Sequence, residues 1–208
     1  MTAENTLNVD LDRRVSGSPR YKAHSVSEYF QESSLDWWKP TQDAYLDQSD
    51  QIRKWVHGNS FRNALEIGPG FGRITQIILP QTEKLTLIEV NEKAARQLGH
   101  KFSSARILRM PVENYEWNEK FDLIVAVEVM VHIPKIPELL DRVSAGLDNG
   151  GRFITSITPD LFYKGKRTII HRGINIGEFE IAMNTRGLEI VEKRQKDQLL
   201  SYELVKRK

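Results

Sequence analysis

Residues 64 to 72 read Ala-Leu-Glu-Ile-Gly-Pro-Gly-Phe-Gly: an apolar stretch that carries an acid, Glu66, near its end and then glycines at 68, 70 and 72. Such a run constrains the fold strongly, because backbone without β-carbons is needed where a chain leaves a strand and passes tightly beneath a ligand. The dinucleotide fingerprint G-x-G-x-x-G needs its third glycine at position 73, to pack helix against strand and seat a pyrophosphate on the helix N-terminus. Arg73 stands there, so that reading fails. The E-x-G-x-G-x-G form, with its acid two residues upstream, suits a ligand that lacks a pyrophosphate but carries an ammonium and a sulfonium.

S-adenosylmethionine (SAM) is such a ligand, and the run resembles motif I of the class I SAM-dependent methyltransferases. The resemblance extends over about residues 60 to 160 because further pieces follow in order. Residues 84 to 90 (Lys-Leu-Thr-Leu-Ile-Glu-Val) read as a second buried strand ending in Glu89. The resemblance gives that acid the ribose hydroxyls, by the physics with which dinucleotide folds read a ribose, and lays Val90 against the adenine. Phe121 to Met130, followed by Val131-His132-Ile133-Pro134, resembles the fourth strand and the loop after it. The cofactor set implied is Glu66, Gly68, Gly70, Gly72, Glu89, Val90, Met110, Pro111, Val112 and Glu128. One departure stands out: Met110 occupies the place where similar enzymes carry an acid for the adenine amino group. Either Met110 and Val90 sandwich the ring with the backbone of Val112, or Glu113 reaches over. Glu128 faces the methionine moiety or is a solvated, capping acid.

Strand and helix alternate along the core. Strands are expected at about 62–67, 84–90, 105–109, 121–129, 151–157, 188–194 and 199–206, and helices at about 71–79, 91–102, 135–147 and 176–186. Leu139, Leu140, Val143 and Leu147 give the helix at 135–147 an apolar face, and Asp148-Asn149-Gly150-Gly151 is expected to end it in a turn. Alternation of this kind predicts a mostly parallel sheet with helices on both faces. The last two strands are too close together to be anything but antiparallel to one another. The resemblance implies a Rossmann-like α/β fold, with seven strands and an antiparallel last strand. Residues 1–20 lack periodicity and predict a flexible arm before a single methyltransferase domain at 21–208. Within that domain, 24–58 is expected as a helical lid and 60–208 as the catalytic core. Ile52, Trp55 and Val56 share a face there, Pro40-Thr41 marks a start and Gly58 a stop.

Composition excludes more than it assigns. No cysteine is present, so disulfides, a thiol nucleophile and thiolate metal sites are absent. The histidines at 24, 57, 100, 132 and 171 show no ligand spacing, and no metal is expected. A net charge of +2 argues against a dedicated nucleic-acid binder. A polar N-terminus and the lack of any run near the roughly 18 apolar residues of a membrane span predict a cytoplasmic enzyme with no membrane partner. Nothing in the sequence fixes an oligomeric state.

In the core, His132 alone stands where a general base is wanted, near the transferred methyl group. An imidazole titrating near pH 6.5 can take a proton at neutral pH; the other role open to His132 is a loop histidine that bonds a carbonyl and caps the next helix. The acceptor pocket is expected from aromatics outside the core: Tyr21, Tyr29, Trp37 and Trp38 before it, Phe162 and Tyr163 in the insertion after the fifth strand. They either form a lid over a small-molecule substrate or pack the helical layer onto the sheet. The basic run Lys164 to Arg167, with His171 and Arg172, is solvated or meets a substrate anion. The expected activity is methyl transfer from SAM to oxygen, nitrogen or carbon of a small metabolite or natural product. A peptide or RNA acceptor and a non-catalytic SAM-binding partner protein are the alternatives.

Overall fold

Four-residue strands at Ala64–Ile67 (β1) and Leu85–Ile88 (β2) are buried along their whole length, as expected of parallel strands covered on both faces. In the computed structural model, which describes residues 43–160 and 174–208, they lie inside a seven-stranded sheet ordered β3-β2-β1-β4-β5-β7-β6. The remaining strands are β3 (Arg106–Leu108), β4 (Phe121–Ala126), β5 (Leu147–Ile157), β6 (Leu188–Lys196) and β7 (Leu199–Lys206). β7 inserts between β5 and β6 and runs antiparallel to both, while the other pairings are parallel.

Side-chain alternation divides the core into two layers. On one face Leu65, Ile67, Phe121, Ile124 and Phe153 pack under α4 (Ile136–Gly146) and α5 (Ile176–Asn184). On the other, Ala64, Leu123, Val125 and Ile154 meet α1 (Asp43–Val56), α2 (Thr75–Ile78) and α3 (Glu92–Lys101). The apolar faces foreseen for α1 and α4 are buried, with Ile52 at 0% exposure and Val143 at 0%, and Ile78 of α2 is buried with them. Asn91 caps α3 by accepting the N–H of Ala94, and Asn175 caps α5 by accepting that of Glu178. Gly58, at φ +74°, supplies the left-handed residue that ends α1.

Four expectations need correction. The helix after β1 does not span 71–79: left-handed Gly72 delays it, and Pro80 tightens its end into a 3₁₀ turn at Leu79–Gln81. β4 stops at Ala126 rather than 129, because Glu128 takes φ +58°. β5 begins at Leu147, which pairs with Phe121; the register then jumps to Leu123 with Arg152, so Asp148 to Gly151 form a bulge inside the strand instead of a turn before it. β6 also runs two residues longer than expected, to Lys196.

The segment expected as a lid is described only from residue 43, and there it is bolted to the sheet. Arg194 grips Asp47 through two hydrogen bonds at 2.9 and 2.6 Å, Glu192 accepts from Gln51 and Trp55, and Arg152 bonds the carbonyl of Trp55. The flexible arm at 1–20, the helix start at 40–41 and the basic run at 164–172 lie outside the described residues. Among the described residues no helix is long and apolar enough to cross a membrane, and no group of three potential metal ligands occurs.

Candidate functional site

The order of strands reverses between β1 and β4, and in open parallel sheets the crevice beyond the carboxyl ends at that point is where ligands sit. A cavity of about 590 Å³ opens there. The loops after β1, β2, β3 and β4 all contribute to its wall, so Glu66, Gly68, Gly70, Glu89, Val90, Met110, Pro111, Val112, Glu128 and His132 come together around it. Gly72 does not join them. The three glycines have different jobs. All have positive φ, but a β-carbon on Gly70 would meet nothing within 4 Å, one on Gly68 would come 2.7 Å from Cγ2 of Val129, and one on Gly72 would overlap the ring of Phe102. Gly70 therefore presents bare main chain to the cavity, Gly68 lets the loop after β4 close in, and Gly72 lets α3 pack.

Glu89 is 5% exposed, and its two oxygens accept backbone N–H groups: Oε2 from Gly70 at 2.9 Å and Oε1 from Asn91 at 2.8 Å. Burial pushes its carboxyl up from the ordinary range, opposed by the N–H groups of Asn91, Gly70 and Val90. Glu66 lies deeper at 2% exposure, takes the hydroxyl of Thr75 at 2.6 Å, and is pushed up to about 7, first by burial. Thr75 and the positive charge of Arg73 work against that rise, and Glu89 adds to it.

Sequence reading missed the polar cluster behind the glycine loop. Arg73 donates to Oε1 of Gln48 at 2.6 Å, to Oγ of Ser49 at 2.9 Å and to the carbonyl of Tyr45 at 3.3 Å, and lies over the Tyr45 ring. Burial holds its guanidinium below the usual arginine range. Gln48, 3% exposed, passes its amide hydrogens to Oε1 of Glu128 and Oγ of Ser201, both at 3.1 Å. Ser156 completes the set, accepting the N–H of Glu128 at 2.7 Å and donating to its Oε1. Arg73 had a weak signal, standing where a third glycine was wanted; Gln48, Ser156 and Ser201 had none. His132 closes the 3₁₀ turn Met130–His132, its N–H on the carbonyl of Val129 at 2.9 Å, and lines the cavity. Met110 and Glu113, the two alternatives for the adenine edge, both line it too. The expected lid residues Tyr21, Tyr29, Trp37, Trp38, Phe162 and Tyr163 lie outside the described residues.

A family model described as a methyltransferase domain, Methyltransf_12, matches residues 65–153, the stretch that holds the glycine loop, Glu89, Glu128 and His132. The chain carries a class I SAM-dependent methyltransferase domain. Its methyl donor is SAM. The methyltransferase is 26% identical over 169 residues to nodulation protein S of Bradyrhizobium diazoefficiens, a match covering 76% of this chain and 78% of that protein. A crystal structure of the N-methyltransferase NodS from Bradyrhizobium japonicum with S-adenosylhomocysteine has the same fold, with a TM-score of 0.73 at 19% identity over 88% of this chain and 97% of that one. A shorter stretch is 32% identical over 72 residues to ribosomal RNA small subunit methyltransferase A of Malacoplasma penetrans, covering 35% of this chain and only 26% of the length of that relative.

Proposed function

We propose that the chain methylates a small molecule at nitrogen, oxygen or carbon, with residues 60–208 as the catalytic core and the preceding helical segment as its cover. The observation that carries the reading is the pairing of bare backbone at Gly70 with the Glu89 carboxylate on one cavity. SAM fits this donor set. The main chain at Gly68 and Gly70 would flank the methionine moiety, with Glu66 as counter-charge to its ammonium. Glu89 keeps unused lone pairs for the ribose hydroxyls, and Val90, Met110, Pro111 and Val112 supply apolar surface for the adenine. SAM, when bound, supplies an electrophilic methyl carbon on a sulfonium. The work left to the protein is positioning and exclusion of water, because in-line displacement gains most from a nucleophile held close to the methyl carbon. His132 and Glu128, both in the segment after β4 and both lining the cavity, are the residues we assign to the acceptor end, His132 to accept its proton.

A cavity of about 590 Å³ falls in the range of sites for small molecules and cofactors, which supports a low-molecular-weight acceptor over a peptide or RNA. The likeness to the ribosomal RNA enzyme covers too little of that protein to favour RNA. Calorimetry with S-adenosylhomocysteine, then transfer of labelled methyl from SAM across a panel of small metabolites, tests the proposal. A melting temperature raised by S-adenosylhomocysteine and not by NAD is the expected first result. Binding with no transfer to any acceptor would leave a SAM-binding partner protein instead.

A further inference from the structure

Glu128 combines three features. It closes the central strand β4 in a left-handed conformation, φ +58°, unusual for a residue with a side chain and typical of backbone held for a purpose. Both side-chain hydrogen bonds to its carboxylate fall on one oxygen: Ser156 and Gln48 both donate to Oε1. Oε2 accepts no hydrogen bond from the described residues, although Glu128 lines the same cavity as His132.

We propose that Oε2 of Glu128 is the anchor for an amine, and that the acceptor of this enzyme is a primary or secondary amine that arrives as its ammonium. The inference rests on the methyltransferase reading above and narrows it to one atom type. Charge favours it: Glu66, Glu89, Glu113 and Glu138 line the same cavity, against the cations Arg73 and Lys135. The guanidinium of Arg73 donates to Gln48, Ser49 and Tyr45, and the Glu128 carboxylate is the acid whose charge acts most on it, so the four further glutamates are what leave the cavity wall acidic.

Acidity favours it as well. An α-amino-type ammonium titrates near 8, a simple alkylammonium near 10.4 and imidazole near 6.5, so the proton moves to a histidine across about 1.5 to 4 pH units. A hydroxyl as weakly acidic as water, near 15.7, would have to cross about nine. A phenolate would set an oxyanion against the Glu128 carboxylate. In the step itself the ammonium gives one proton to His132, and the freed nitrogen lone pair forms the new N–C bond. The C–S bond breaks with its electron pair going to sulfur, leaving a thioether and a methylated ammonium.

Matched pairs differing only in amine against hydroxyl test this, namely glucosamine with glucose, 2-phenylethylamine with 2-phenylethanol, and 1,8-diaminooctane with 1,8-octanediol. They are offered with methyl-labelled SAM and, separately, to protein saturated with S-adenosylhomocysteine in a thermal-shift assay. At least one amine is expected to take label and raise the melting temperature while its hydroxyl partner does neither. Glu128→Gln should lower kcat/KM for that amine by tenfold or more, mostly through KM, and leave S-adenosylhomocysteine affinity within threefold. Three results overturn the proposal: label on a hydroxyl partner, no amine bound or labelled, or a tenfold loss of S-adenosylhomocysteine affinity in Glu128→Gln, which would assign Glu128 to the cofactor. Absence of S-adenosylhomocysteine binding in the unaltered protein would instead sink the methyltransferase reading beneath it.

Discussion

Oε2 of Glu89 accepts the backbone N–H of Gly70 at 2.9 Å, so the acid that closes β2 braces the loop that leaves β1. The same carboxylate fixes Asn91, which caps α3. One side chain thus shapes the glycine loop and starts the next helix, in addition to the ribose contact proposed for it.

Glu89→Ala should therefore do double damage. It leaves the N–H groups of Gly70 and Asn91 without their acceptor, a loss of about 2–4 kcal/mol of stability, and removes a charged hydrogen-bond partner worth about ten- to a hundredfold in nucleoside affinity. Urea unfolding and calorimetry with S-adenosylhomocysteine read the two effects separately. A variant that binds like the unaltered protein would remove Glu89 from the site.

Gly72→Ala is expected to injure the fold and spare the ligand. Its methyl group would overlap Phe102 and sit at φ +85°, costing about 2–4 kcal/mol. Below its lowered melting temperature, S-adenosylhomocysteine affinity should stay within about threefold of the unaltered protein. A large affinity loss in a folded variant would return Gly72 to the cavity wall.

Glu66 makes stability depend on pH. Burial lifts its carboxyl from 4.5 to about 7, so between those values the folded protein keeps a proton that the unfolded chain has released. The contribution is fully present below pH 4.5, declines as pH rises through 7, and totals about 3 kcal/mol. Glu66→Gln, neutral at every pH, should flatten that slope and be the more stable protein at pH 8. Urea midpoints at pH 5 and pH 8 decide it; a difference between the two proteins that is the same at both would contradict the burial argument.

Gln48→Ala removes one amide that serves Arg73, Glu128 and Ser201 together. The expected cost is about 2–3 kcal/mol, with faster amide hydrogen exchange across α1. Unchanged exchange at residues 43–56 would mean that the polar cluster does not hold the helix.

The sheet was legible because burial on both faces writes mostly apolar runs into β1, β2 and β4, and because a glycine after β1 and an acid after β2 mark where those two strands stop. The cavity wall at Gly70 and Glu89 was legible for the same reason: both are set by strand ends. The polar cluster behind the glycine loop was not. Gln48 meets Ser201 across 153 positions of sequence and Arg73 across 25, and no local period encodes such pairs. Gly72 was grouped with its neighbours because a glycine's reason for being there, whether helix packing or ligand approach, lies in what faces it. The bulge at 148–151 escaped because Asp-Asn-Gly-Gly favours a tight turn whether it precedes a strand or interrupts one.

Calorimetric titration of S-adenosylhomocysteine into the unaltered protein and into Gly70→Val tests the central claim most directly. The cavity over Gly70 predicts one site per chain in the unaltered protein and at least a hundredfold weaker binding in a variant that remains folded, since the branched side chain would stand where a ligand belongs. Equal affinity in the two proteins, or no heat from either, would contradict it.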